Sequence, residues 1–177
     1  MLDRAYKYND RINSLLRDLY DTDYAKYYFL SQSYYEGFSD NVERESEWNR
    51  IARVSILNKE LLGYMTACIS RDSRVVTNLS LINFKKETNI FFTKDVFSFF
   101  NYLFNVEKVE SITWYVCTEN KKAVKIYDNF ISKFADIKIA KSTPIRNMYY
   151  TNRLGYLNGF VYTLLIDEYK KYKDLKK

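Results

Sequence analysis

The stretch Ile112-Thr113-Trp114-Tyr115-Val116-Cys117-Thr118-Glu119-Asn120-Lys121-Lys122-Ala123-Val124-Lys125-Ile126-Tyr127-Asp128-Asn129-Phe130 decides the fold, because its period changes in the middle. Its first six residues are β-branched, aromatic or small, which suits a strand buried on both faces. Further on, Ala123, Tyr127, Phe130 and Phe134 recur at helical spacing, with Val124 and Ile131 widening the stripe. A buried strand thus runs into an amphipathic helix almost without a loop. Thr118 or Asn120 can cap that helix by accepting from its unpaired N–H groups. Polar side chains therefore gather at the carboxyl end of a buried strand, the edge where open α/β sheets bind ligands.

Upstream, Val96, Phe97, Phe99, Phe100, Leu103 and Phe104 form the apolar stripe of another helix, with Thr93 as its expected N-cap and Asp95 in its first turn complementing the dipole. Before it, Arg50 to Leu57, Leu61 to Ser70 and Val75 to Phe84 read as three strands joined by the short polar turns Asn58-Lys59-Glu60 and Arg71-Asp72-Ser73-Arg74, an antiparallel meander. Alternation in the third puts Val75, Thr77, Leu79 and Leu81 on one face, and Val76, Asn78, Ser80 and Ile82 on the other. The last of these strands, the Phe-rich helix and the Ile112 strand make a βαβ unit, so the two strands should be parallel neighbours in a mixed α/β sheet. Ile12, Leu15, Leu16 and Leu19 mark a first helix, which Asn9 or Asp10 can cap. Tyr24 to Leu30 reads equally as helix or loop, and Ser31 to Trp48 as an acidic, polar segment with a short helix and an exposed loop. After the Tyr127 helix, Asp136 to Lys141 alternates as a strand that Ser142-Thr143-Pro144 breaks. Asn158-Gly159 is a turn signal, and Phe160 to Ile166 is the last strand, antiparallel to its neighbour. Without an internal repeat or low-complexity linker, residues 1–177 read as a single domain.

Composition narrows the chemistry. The chain has 47% hydrophobic and 28% charged residues, the balance of a protein with a proper core. It contains no His, which excludes a Ser-His-Asp or Cys-His nucleophile and any zinc site with imidazole ligands. Acid–base work falls to Glu, Asp, Lys, Tyr or Cys. Cys68 and Cys117 sit in strand-like runs and read as small buried hydrophobes in a reducing compartment. Lys and Arg exceed Asp and Glu, 28 to 22, but several lysines lie at the end, from Lys170 to Lys177, as a solvated tail. No stripe of cations interleaved with aromatics stands apart, so nucleic acid is not an expected partner. No apolar run reaches membrane-span length and no signal-peptide core is present, so a cytoplasmic protein is the expectation.

The order strand, Asn120, two residues, Ala123, three residues, Tyr127 resembles the fifth strand and following helix of the GCN5-related N-acetyltransferase (GNAT) family. The resemblance extends from about Arg50 to Ile166. It implies a mixed, mostly antiparallel sheet of about six or seven strands with a central parallel βαβ pair and about four flanking helices. It also implies an N-acetyltransferase that moves an acetyl group from acetyl-CoA to an amine of a small molecule or protein, with a homodimer among the assemblies open to it. The pantetheine arm would lie alongside Ile82 and Phe84, and the diphosphate at the helix start formed by Phe92, Thr93, Lys94 and Asp95. Asn120 would contact the arm, and Tyr127 would be the general acid, since a phenol of pKa about 10 starts protonated. The glycine-rich phosphate loop of the family is missing, because no glycine stands between Gly63 and Gly155. Either a divergent, phage-like member holds the diphosphate by lysines and helix amides, or a catalytically silent module of this fold acts through binding. Glu60, Glu87, Glu119 and Asp136 are the candidate bases, and Cys117 is a conceivable nucleophile without a cationic partner beside it.

Overall fold

The computed structural model describes residues 1–20, 22–27, 49–85, 89–133, 138–151 and 153–174. The acidic segment from Ser31 to Trp48 lies outside them. Among the described residues the strands are β1 (Leu2–Arg4), β2 (Arg50–Leu57), β3 (Glu60–Ser70), β4 (Val75–Asn83), β5 (Ser111–Cys117), β6 (Ala140–Lys141), β7 (Ile145–Thr151) and β8 (Gly155–Leu165). The α-helices are α1 (Asn9–Tyr20), α2 (Ile90–Asn105), α3 (Lys121–Lys133) and α4 (Ile166–Asp174). Two 3-10 helices, Ala5–Tyr8 and Asp23–Tyr27, precede and follow α1. The sheet order is β1-β2-β3-β4-β5-β8-β6, with β7 also on β8. Every pairing is antiparallel except β4 with β5. The architecture is the expected mixed α/β sheet. No described helix is long and apolar enough to cross a membrane.

Each face of the sheet is covered by the stripe that the periodicity marks. On one face Ile12, Leu16 and Leu19 of α1 meet Ala52, Val54, Leu61, Tyr64 and Ile82. On the other, Phe92, Phe99, Phe100, Leu103 and Phe104 of α2 meet strand residues such as Met65, Val76, Leu79, Ile112 and Trp114. Each such side chain contributes about 1.5–3 kcal/mol relative to exposure. β3 is an interior strand, and its near-continuous apolar sequence reflects burial on both faces. Its Gly63 lets Phe92 approach: a Cβ there would stand 2.3 Å from that ring.

Several expectations change. The strict alternation of β4 fails at Thr77, where the register jumps from Cys68↔Asn78 to Ile69↔Val76 and leaves Thr77 out of the register, its hydroxyl donating to Cys68 O at 3.4 Å. This β-bulge reverses the phase, so that Val76 and Leu79 both join the α2 cluster. Helix α2 begins at Ile90 with Asn89 as N-cap, so Thr93 is not the cap and Asp95 is not in the first turn. Exposed Ile90 and Phe91 fall off the apolar stripe, which is why periodicity starts the helix late. Asn158-Gly159 is no turn. It lies inside β8, where Gly159 pairs with Cys117 and Ile145, and Asn158 Oδ1 accepts from Asn147 N at 3.0 Å across an irregular register. The true β7–β8 reversal precedes Gly155, whose φ is +71°. β7 is a strand the sequence reading omits, and β6 shrinks to two residues; Asp136 and Ile137 lie outside the described residues. The last strand ends at Leu165, and the lysine-rich end is helical through Asp174, held by Tyr169 stacked on Phe104 at 4.8 Å.

Candidate active site

The bulge at Thr77 sits where β4 and β5 stop pairing. Their parallel ladder consists of Val75↔Ser111 and Val76↔Ile112 alone. Just before it, Glu110 N donates to Arg74 O at 2.7 Å and fastens the joined ends. A bulge bends its strand and sharpens the local twist. Past it the two strands diverge, with Tyr115 Oη donating to the Thr77 carbonyl at 3.3 Å just beyond the fork. The result is a cleft of about 520 Å³ lined by Thr77 to Leu81 on one side and by Trp114 to Cys117 on the other. Thr66 and Cys68 of β3, Arg50 and Tyr27 complete one wall, and Asn120, Ala123 and Tyr127 of the α3 region another.

Strand β5 delivers its chain straight into the α3 start at this cleft. Asn120 Oδ1 accepts from Ala123 N at 3.2 Å, so Asn120 is the cap and its amide nitrogen remains a separate donor. Thr118 does not cap. Its hydroxyl donates to Glu119 Oε2 at 2.5 Å, and its amide to Asn158 O at 3.0 Å. The Thr118 hydroxyl is the main reason the Glu119 carboxyl is held below its ordinary value. Burial pushes the Cys117 thiol up to about 11, with the Glu119 carboxylate adding to the effect. A thiol so protonated is not a nucleophile at neutral pH.

Nearly two turns into α3, Tyr127 leans on an aromatic wall. Its ring lies 5.4 Å from Trp114 and 5.3 Å from Tyr162, which stack on each other at 5.6 Å and 8°. The Tyr162 hydroxyl donates to Asp128 Oδ1 at 3.2 Å, and Lys141 Nζ donates to both Asp128 oxygens at 2.7 and 2.9 Å. Lys141 also rests 4.2 Å over the Phe160 ring. Burial first, and the Asp128 charge second, push the Tyr162 phenol well up. The Trp114 indole nitrogen is buried without a hydrogen-bond partner.

Of the site residues expected from sequence, Asn120, Tyr127 and Cys117 come together at the cleft, while Ile82, Phe84, Phe92, Thr93, Lys94 and Asp95 do not line it. Ile82 is fully buried in the α1 cluster, and Phe84 packs beside it. Phe92 is in the core over Gly63. Thr93 is exposed, its amide and hydroxyl both donating to Asn89 O at 3.0 and 3.1 Å. Lys94 Nζ stands 6.0 Å from the Phe91 ring. Asp95 is buried, accepting from Ser55 Oγ at 2.6 Å and from the Met1 ammonium at 2.9 Å. Of the candidate bases, Glu60 pairs with Lys85 on the surface, and Glu87 and Asp136 lie outside the described residues. The described lining holds no carboxylate. Asn78 and Ser80, whose polarity on this strand points either to pairing in the core or to a cleft, line the cleft, whereas sequence reading missed Trp114 and Tyr115 as its facing wall, Asp128 and Tyr162 as support for Tyr127, and Asn89 as a cap. Only Asn89 carried a local signal, an Asn directly before a long apolar run.

No family model matches the chain, and no curated protein matches it. Solved structures do. A spermidine N-acetyltransferase from Vibrio cholerae, in complex with CoA and spermine, superposes with a TM-score of 0.76 at 15% identity, covering 96% of this chain and 97% of its own. A putative acetyltransferase from T. thermophilus gives 0.70 at 14% identity, covering 98% and 89%. A probable acetyltransferase gives 0.71 at 16%, covering 92% and 90%. The chain therefore has the fold of the GNAT acetyltransferases.

Proposed function

We propose, from the premise of a GNAT fold with an open β4–β5 cleft, that this chain is an acetyl-CoA-dependent N-acetyltransferase acting on an amine of a small molecule or a protein. The observation that carries the reading is the parting of β4 and β5 after two residue pairs. Beyond Val76 the β4 edge facing β5 has no strand partner among the described residues, and an extended ligand with amide groups adds to such an edge as a strand would. The pantetheine arm is such a ligand, and Thr77 to Leu81 would hold it. The nitrogen of the Asn120 side chain, left over by the cap, is positioned to contact the same arm.

When bound, the thioester supplies an acetyl group that a neutral amine can take, with coenzyme A leaving as a thiolate. Tyr127 holds the proton for that thiolate at its Oη, and the Trp114–Tyr162 stack fixes where the ring stands. Water along Thr66, Asn78 and Ser80 of the described lining would take the acceptor's proton.

Acetyl-CoA at one hundred times its Kd should stabilise the protein by about 2.7 kcal/mol, a Tm rise of roughly 5–10 °C for a chain of this size. Tyr127→Phe should leave that shift intact and lower thiol release with spermidine or a lysine peptide as probe amine by about a hundredfold. A second reading, a silent binding module of the same fold, draws on one observation: Asn89 occupies amides at the α2 start. No Tm shift with millimolar acetyl-CoA selects that reading.

A further inference from the structure

We infer that the acyl donor is recognised by its pantetheine arm and not by its nucleotide diphosphate, so that the donor class extends to pantetheine thioesters lacking the nucleotide; the inference rests on the transferase reading above. Three features of the α2 start carry it. Asn89 Oδ1 accepts from Phe91 N at 2.9 Å and from Phe92 N at 3.3 Å, so two of the amides an anion would use there are already satisfied from within the chain. Of the neighbouring cations among the described residues, Lys85 is paired with Glu60 and Lys94 stands 6.0 Å from the Phe91 ring. Finally, the surface presented at this end is apolar, with Ile90 and Phe91 both exposed, and no glycine between Gly63 and Gly155 lets backbone wrap an anion. The cleft at the other end of the donor is the opposite case, an open strand edge with polar groups on both walls.

The experiment titrates acetyl-CoA and S-acetyl-pantetheine calorimetrically into the wild type and into Asn89→Asp. Aspartate caps a helix as well as asparagine does, so the variant keeps its fold while placing a negative charge where a diphosphate would sit. The expected result is that the two thioesters bind the wild type within tenfold of each other, and that Asn89→Asp leaves both affinities within threefold. Acetyl-CoA binding more than tenfold tighter than S-acetyl-pantetheine, or a selective loss of acetyl-CoA affinity beyond threefold in Asn89→Asp, overturns it. If neither thioester binds, the transferase reading itself falls, an outcome distinct from preferential binding of the nucleotide form.

Discussion

Gly63→Ala is the sharpest single test of how α2 meets the sheet. The added Cβ would stand 2.3 and 2.6 Å from Phe92 Cε2 and Cδ2, and 2.5 Å from the Ile82 carbonyl oxygen. Carbon atoms in contact prefer about 3.5–4.0 Å, so the ring must retreat by about an ångström or more. The carbonyl belongs to β4 backbone held in the β3–β4 ladder and cannot swing aside. Overpacking of this kind costs about 1–3 kcal/mol, and the backbone clash puts Gly63→Ala at the upper end. The loss of backbone freedom in the unfolded chain returns about 0.4–1 kcal/mol. The net expectation is a destabilisation of about 2 kcal/mol, a Tm drop of roughly 4–8 °C. A double-mutant cycle followed by urea unfolding apportions it. In a Phe92→Ala background, itself about 3–5 kcal/mol less stable, only the carbonyl clash persists, and the alanine penalty should shrink by about 1 kcal/mol or more. Gly63→Ala within about 0.5 kcal/mol of the wild type, or an equal penalty with and without Phe92, would refute the close-approach argument.

Three further outcomes follow from the cleft. Because Cys117 is pushed from 9.0 to about 11 in the fold, its contribution to stability is complete below about pH 9 and is lost as pH rises through 11. Thermal melts between pH 8 and 11 should therefore fall more steeply for the wild type than for Cys117→Ala, by on the order of 2 kcal/mol; parallel slopes would contradict this. Cys68 lines the cleft and is partly exposed, whereas Cys117 is buried, so iodoacetamide followed by mass spectrometry should label Cys68 first. Acetyl-CoA should slow that labelling several-fold, and undiminished labelling at saturation would place the ligand elsewhere. Asn120→Ala should cost about 1 kcal/mol through the lost cap, while Asn120→Asp keeps the cap and loses the free amide donor. Calorimetry should find weaker acetyl-CoA binding in both variants, with urea melts showing a stability loss in the alanine variant alone.

How far the sequence speaks depends on the range of the forces involved. The Ile112 strand and the α3 stripe were legible because burial imposes its period locally, and Asn120 was legible as a cap because capping spans three residues. The meander was equally plain, with Asn58 and Lys59 both at positive φ in the tight turn expected between β2 and β3. The start of α2 was misread because Ile90 and Phe91 face solvent and so break the pattern that marks the rest of the helix. Asn158-Gly159 imitates a hairpin turn, yet three strands converge on it, and those long-range hydrogen bonds override the dipeptide's local preference. The wall around Tyr127 joins Trp114, Tyr162 and Asp128 from three elements, and no spacing along the chain announces such a meeting.

The gap between β4 and β5 owes its existence to arithmetic. Strand β4 carries a residue, Thr77, that is surplus to the count of β3, and its pairing with β5 stops one residue before it. Scaffold and specificity are thereby decoupled: Asn78, Ser80 and Tyr115 can be exchanged to suit a different guest without the doorway closing. Deleting Thr77 should restore an even count with β3 and let β4 and β5 pair further, at the expense of the cleft.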